Sequence, residues 1–175
     1  MARIKRASRG PIPPRRRSPA QKKAAQARGI GILERGDLTE VAFLHKAMSL
    51  GFMVAKPHGH NHRYDFIVGD GKKDGGKNLW RVQVKTSICV QGDLYNVSVR
   101  HSLNGVRIAD TEAEIDFVAV YLIRLDTWYI LPVREVVGRA SFLFRDPMAS
   151  HRRDPWAYYR EAWHLLREPD GLTFG

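Results

Sequence analysis

Two apolar runs that carry polar residues at regular intervals constrain the fold of this chain most. They are RYDFIV at 63–68 and LWRVQVKT at 79–86, and a glycine- and lysine-rich segment separates them. Because side chains alternate along a strand, Gln83 and Lys85 share one face of the second run. If the runs pair as neighbouring strands with their apolar faces together, Asp65 emerges on that same side.

The rest of the pattern predicts a helix, then mostly strands, then a helix. We expect the first helix in DLTEVAFLHKAMSLG, with Asp37 as N-cap and Gly51 as its end. The last helix is expected in DPWAYYREAWHLLRE, with Asp154 as cap. Strands are expected in FMVAKP, LYNVSVR and ASFLF, with a hairpin around Leu125–Thr127. The last helix would pack through one stripe, formed by Trp156, Tyr159, Trp163 and Leu166. This order predicts an α/β or α+β sheet with flanking helices.

Glu40 lies on the apolar face of the first predicted helix. At about 100° per residue, Phe43 and Ala47 fall beside it, while Thr39 falls among the polar residues. An acid in this position is costly unless it meets a cation, and a metal ion would supply one. Asp37 and Glu40 also have capping-box spacing, so Glu40 could instead bond back to the start of the helix.

Positive charge is concentrated at the N-terminus. Residues 1–28 contain ten of the 29 Lys and Arg and no acid, which leaves 19 basic and 18 acidic residues elsewhere. Because GPIPPRRRSP cannot hold a continuous helix and has little to bury, we predict a disordered basic tail at 1–30 and a folded domain at 31–175. Such a tail suits nucleic-acid phosphates, although a solubilising role or binding to anionic lipid would also explain it. Its predicted DNA contacts are Arg15, Arg16, Arg17, Lys22 and Lys23.

The composition argues against several other classes of protein. A single cysteine, Cys89, leaves no internal disulfide and no cysteine-built zinc site, which favours a cytoplasmic protein. No apolar run approaches the roughly 18 residues of a membrane span. P-loop, GxGxxG and Ser–His–Asp patterns are absent, so no small-molecule cofactor is expected. His58, His60 and His62 could bind zinc, but their Gly/Asn loop offers no fixed tetrahedron.

The order of Glu40, Asp65, QVK at 83–85, EIDFVAVY and WYILPV resembles that of the PD-(D/E)XK nuclease superfamily. The chain is most similar to the branch that contains group I intron homing endonucleases, in which Gln replaces the usual second acid. The resemblance covers Thr39 to Val133. It implies a restriction-endonuclease-like core, with a mixed central β-sheet flanked by helices, and a magnesium-dependent endonuclease activity.

The resemblance also implies roles for the site residues. Asp65 would be the main Mg²⁺ ligand, with Mn²⁺ as a substitute, and Glu40 would bind directly or through water. The amide oxygen of Gln83 or the backbone carbonyl of Val84 would complete the set. Lys85 would orient the attacking water and stabilise developing negative charge.

The expected partner is double-stranded DNA, bound in the bacterial cytoplasm, at the nucleoid. Since one domain supplies one active site and cutting both strands needs two, a homo-oligomer (a dimer or tetramer) is expected. His62 and Arg63 are predicted DNA contacts beside the site. Asp116 could reach the site, although solvation at a strand edge or a role as a cap is the favoured interpretation. Because Gln83 removes one negative charge, a catalytically weak or inactive DNA-binding protein is the alternative. RNA or a DNA junction as substrate stays open.

Overall fold

A computed structural model describes most of the chain beyond the basic tail. The described residues are 32–59, 62–71, 78–87, 89–91, 93–103, 106–109, 113–146, 148 and 153–167. The predicted tail contacts Arg15, Arg16, Arg17, Lys22 and Lys23 lie outside them, as does His60. Their roles therefore stay predictions.

The described residues form one α-helix, ten β-strands and four short 3₁₀ helices. Helix α1 spans Ile32–Ser49. The strands are β1 (Met53–Ala55), β2 (Phe66–Gly69), β3 (Leu79–Thr86), β4 (Cys89–Gln91), β5 (Leu94–Ser98), β6 (Arg100–Leu103), β7 (Val106–Ala109), β8 (Phe117–Leu122), β9 (Thr127–Pro132) and β10 (Ser141–Arg145). The 3₁₀ helices are Ile123–Leu125, Val133–Glu135, Ala157–Tyr159 and Trp163–Leu166. No helix among these described residues is both long and apolar enough to cross a membrane.

A five-stranded mixed sheet in the order β1-β2-β3-β8-β9 forms the centre of the fold. Strands β2 and β3 are neighbours, as predicted, and they run antiparallel with Phe66 opposite Val82. Strands β3 and β8 run parallel, and the β8–β9 hairpin turns through the 3₁₀ helix at Ile123–Leu125. The predicted α/β class with a mixed central sheet is confirmed. Two smaller sheets contain β10-β5-β4 and β6-β7.

Helix α1 covers one face of the central sheet through an aromatic cluster. Phe43 is fully buried at its centre, with ring centroids 5.2 Å from Phe66, 5.6 Å from Trp128 and 5.7 Å from Trp163. Aromatic pairs at these distances add to the free energy gained by burying their area. This packing fixes α1, and with it Glu40, over the central strands.

The opposite face packs against the three-stranded sheet instead of a helix. Strand β8 buries Val118 and Val120 on this side, where they meet Phe142 and Phe144 of β10. Since apolar residues of β8 are covered on both faces, its sequence is a continuous apolar run with no alternation. A short run of that kind does not reveal which type of element lies on each side.

The start of α1 differs from the prediction. The helix begins at Ile32, so Asp37 lies inside it and is not the N-cap, and the capping-box interpretation of Glu40 is wrong. Thr39, predicted to be on the polar side, is buried, and its hydroxyl donates to the Arg35 carbonyl at 2.6 Å. The buried face is therefore centred on Phe43, with Glu40 at its edge. The predicted end is confirmed, because Gly51 follows with a φ of 83°.

The predicted C-terminal helix is wrong. The segment forms two 3₁₀ helices, separated at Arg160, which pairs with Tyr129 at the edge of β9. Glu161 follows with a φ of 49°, its amide donates to the Trp128 carbonyl at 2.8 Å, and its carboxylate accepts from the Trp128 amide at 2.7 Å. These bonds to β9 replace the bonds of a continuous helix.

The predicted packing stripe is wrong for the same reason. Trp156 and Tyr159 contact the apolar cluster between the two sheets, whereas Trp163 and Leu166 are buried in the cluster beneath α1. The break at Arg160 thus distributes the four side chains between opposite faces of the central sheet.

Candidate active site

The site forms where β3 extends beyond its pairing with β2. Strand β2 pairs with β3 only as far as Val82, and β3 continues to Thr86. Asp65 occupies the place where β2 would otherwise continue. Its amide donates to the Val82 carbonyl at 2.9 Å, and its Oδ2 accepts from the Val84 amide at 2.6 Å. The Asp65 carboxylate therefore accepts a hydrogen bond from the part of β3 that β2 leaves unpaired.

Two cavities meet at a pair of carboxylates. One, of about 230 Å³, is lined by Glu40, Asp65, Val84 and Lys85, and its remaining wall is formed by Arg35, Gly36, Thr39, Thr86, Ser87 and Ser98. The other, of about 410 Å³, is also lined by Glu40 and Asp65. Its remaining wall is formed by Asp37, Lys56, Pro57, His58, Gly59, His62 and Tyr64. The carboxylate pair therefore lies between the two cavities.

Burial makes ionisation of Asp65 unfavourable. Desolvation raises the pKa of this carboxyl, and the hydrogen bond from the Val84 amide opposes the rise. The negative charge of Glu40 raises the same pKa further, while Lys85 and Lys56 lower it. The balance is a raised pKa, as expected for an acid that lacks a full counter-charge. A bound cation would supply that charge.

Lys56 is a site residue that sequence reasoning missed. Its Nζ lies 2.7 Å from Oε2 of Glu40, which is an ion pair between the end of β1 and α1. The hydrogen bond to Glu40, followed by the attraction of its charge, raises the pKa of Lys56. Its position near the end of the predicted strand FMVAKP was the available signal, since the next predicted strand along the chain contains Asp65.

Gln83 is buried and is not among the residues that line the two cavities. Its Nε2 donates to the carbonyl of Arg63 at 3.0 Å, and its Oε1 has no hydrogen-bond partner among the described residues. The amide therefore supports the backbone two residues before Asp65. Its predicted role as a metal ligand stays a prediction, while Glu40, Asp65 and Lys85 do line one cavity.

Gln83→Glu should destabilise the fold by about 1–3 kcal/mol near neutral pH, because a carboxylate cannot donate to the Arg63 carbonyl. The loss should shrink in mild acid, where a protonated carboxyl regains a donor. Urea unfolding at both pH values measures it, with Gln83→Met as the control that loses the donor at every pH. Unchanged stability together with tighter Mn²⁺ binding would instead identify Gln83 as a ligand.

The two predicted DNA contacts beside the site have different surroundings. His62 lines the larger cavity, and its Nε2 lies 3.1 Å from the His58 carbonyl oxygen. Arg63 instead pairs with Glu114 at 3.1 Å. No group of three His, Cys, Asp or Glu side chains suited to a metal ion occurs within the described ranges, which omit His60.

Asp116 fastens β3 to β8 away from the two cavities. It accepts from the Arg81 amide at 2.7 Å and from Arg81 Nη2 at 2.8 Å, and its own amide donates to the Arg81 carbonyl at 2.9 Å. Burial raises the pKa of Asp116, but the bonds from Arg81 outweigh it and lower the pKa overall. Asp116 thus ties the parallel strands together at the start of β8.

Asp65→Asn and Asp116→Asn should therefore change stability in opposite directions. The raised pKa of Asp65 means that its ionised form costs stability. Asp65→Asn should therefore raise Tm near neutral pH without metal. The gain should vanish in acid, because wild-type Asp65 is protonated there. The lowered pKa of Asp116 has the opposite sign, so Asp116→Asn should lower Tm near neutral pH and cost less in acid. Thermal unfolding across pH measures both, and a lower Tm for Asp65→Asn at neutral pH would contradict the assignment.

Two of three comparisons with known proteins give an endonuclease. Residues 33–166 match the model of a PD-(D/E)XK endonuclease family. Among solved structures, the chain is similar to a bacterial homing endonuclease, I-Ssp6803I, with 26% sequence identity and a TM-score of 0.60. That match covers 75% of this chain and 89% of the other. The search of curated proteins gives no match.

Proposed function

Because the chain belongs to the PD-(D/E)XK endonuclease family, we propose that it is a divalent-metal-dependent endonuclease that hydrolyses phosphodiester bonds in double-stranded DNA. The observation that carries the proposal is the shared cavity, where Glu40 and Asp65 lie with Lys85. Two acids and an ammonium beside one opening suit a hard cation and a phosphate.

The residues present fit a magnesium ion. Mg²⁺ prefers oxygen ligands and keeps several waters, so one or two carboxylates suffice. Asp65 and Glu40 would supply them, with the Val84 backbone beside them. A cation there would offset the cost of burial that raises the pKa of Asp65. The bound ion would offset phosphate charge and lower the pKa of an attacking water. Mn²⁺ would serve as a substitute.

The protein's own groups would position the substrate. Lys85, at the end of β3, would hold the scissile phosphate and stabilise its developing negative charge. The Val84 amide fixes the orientation of the Asp65 carboxylate, so the acid needs no rearrangement when substrate arrives. His62 and the tail residues Arg15, Arg16, Arg17, Lys22 and Lys23 would add contacts to the DNA backbone. A homo-oligomer would supply a second site for the second strand.

Incubation of supercoiled plasmid with the protein and Mg²⁺ tests this function. We expect nicked and then linear DNA, with no product in EDTA.

The second candidate is a DNA-binding protein without cleavage, favoured by the position of Gln83 outside the cavity lining. Retarded migration of the plasmid without any cut, in Mg²⁺ or Mn²⁺, would select this second candidate.

A further inference from the structure

Lys56 lines the larger cavity and forms an ion pair with Glu40, which lines both cavities. The side chain starts just after β1, lines the larger cavity and reaches Oε2 of Glu40 at 2.7 Å. It is 65% exposed, and its Nζ lies 6.0 Å from the centre of the Phe66 ring. It therefore sits between Glu40, which faces both cavities, and open solvent.

Opposite charges already lie around Glu40 and Asp65 when no metal is bound. The negative charges of Glu40 and Asp65 repel each other, whereas the positive charges of Lys56 and Lys85 both attract Asp65. A divalent cation beside the acids would add positive charge and repel Lys56. Because an ion pair this exposed contributes little to stability, its exchange for a metal costs little.

We propose that Lys56 is the counter-ion of Glu40 before metal binds, and that it passes to a DNA phosphate once a divalent cation takes Glu40. This inference rests on the proposed function. Lys56 then competes with the metal for Glu40 but supports DNA binding afterwards. The larger cavity, which Lys56 shares with His58 and His62, would receive that phosphate.

Lys56→Met tests the exchange, because it should change two affinities in opposite directions. Calorimetric titration with Mn²⁺ should show binding roughly two- to five-fold tighter than in wild type, since the competing ammonium is gone. Binding of a short duplex in Ca²⁺ should weaken, and the slope of log K against log salt should fall by about one. Lys46→Met is the matched control. Lys46 lies near the C-terminal end of α1, where it pairs with Glu161 at 3.9 Å, so its removal should leave Mn²⁺ affinity unchanged.

The outcomes separate this inference from the proposed function. Unchanged or weaker Mn²⁺ binding in Lys56→Met, or unchanged duplex affinity, overturns the exchange even where wild type binds the metal. Titration of Asp65→Ala reports on the site itself. If wild type and Asp65→Ala take up Mn²⁺ equally or not at all, both the metal site and the exchange are wrong.

Discussion

Asp65→Ala should lower the rate of plasmid cleavage by at least about 1000-fold, because several kcal/mol of metal-derived transition-state stabilisation depend on this carboxylate. Lys85→Met should lower it by about 100- to 1000-fold, as expected when one group that stabilises developing negative charge is removed. Initial rates of nicking at saturating Mg²⁺ measure both. The two residues line one cavity, so the double variant should be little worse than Asp65→Ala alone.

Lys46→Met provides the matched control for the cleavage experiment. It removes a lysine of α1 that lies outside both cavities, so cleavage should stay near the wild-type rate. Circular dichroism of each variant shows whether the fold is retained. Cleavage at the wild-type rate by folded Asp65→Ala would mean that the active site lies elsewhere.

Phe43→Ala should destabilise the fold by about 3–5 kcal/mol, the usual cost of truncating a buried aromatic residue. Phe43 is fully buried, and its ring contacts Phe66, Trp128 and Trp163. Rigid aromatic rings would surround the cavity left behind, so they could move only partly into it. Urea unfolding gives the change in free energy. Metal binding should weaken as well, because the same contacts hold α1 over the site.

Val41→Ala is the control for Phe43→Ala on the same helix. Val41 is 63% exposed, so its truncation should change stability by no more than about 0.5 kcal/mol. A loss below 1 kcal/mol for Phe43→Ala would contradict the central place of this ring in the core.

The part of the site built on β3 could be predicted from the sequence. Alternation over Leu79–Thr86 predicted the strand with its observed bounds, and the turn-rich segment before it predicted that the strand pairs with β2. The convergence of Asp65 and Lys85 on one cavity follows from these two local patterns. Local patterns suffice here because both elements are neighbours in sequence and in the sheet.

The errors arose where distant contacts override local preference. Helical propensity is a local property, so it could not predict that Arg160 and Glu161 bond to residues of β9 that lie more than thirty positions earlier in the chain. Lys56 was missed because a lysine at a strand end is ordinarily a solvated charge, and only the packing of α1 brings Glu40 to it. Gln83 could be assigned to a strand face, but its bond to the Arg63 carbonyl depends on the path of the chain before β2.

Anomalous diffraction from a crystal soaked in Mn²⁺ tests the proposed metal site at Asp65 and Glu40 most directly. We expect a peak within coordination distance of Asp65, in the space between it and Glu40, with Lys56 displaced from Glu40. A well-diffracting crystal with no peak there, or with its peak at His58 and His62, would contradict the assignment of Asp65 and Glu40 as the metal-binding pair.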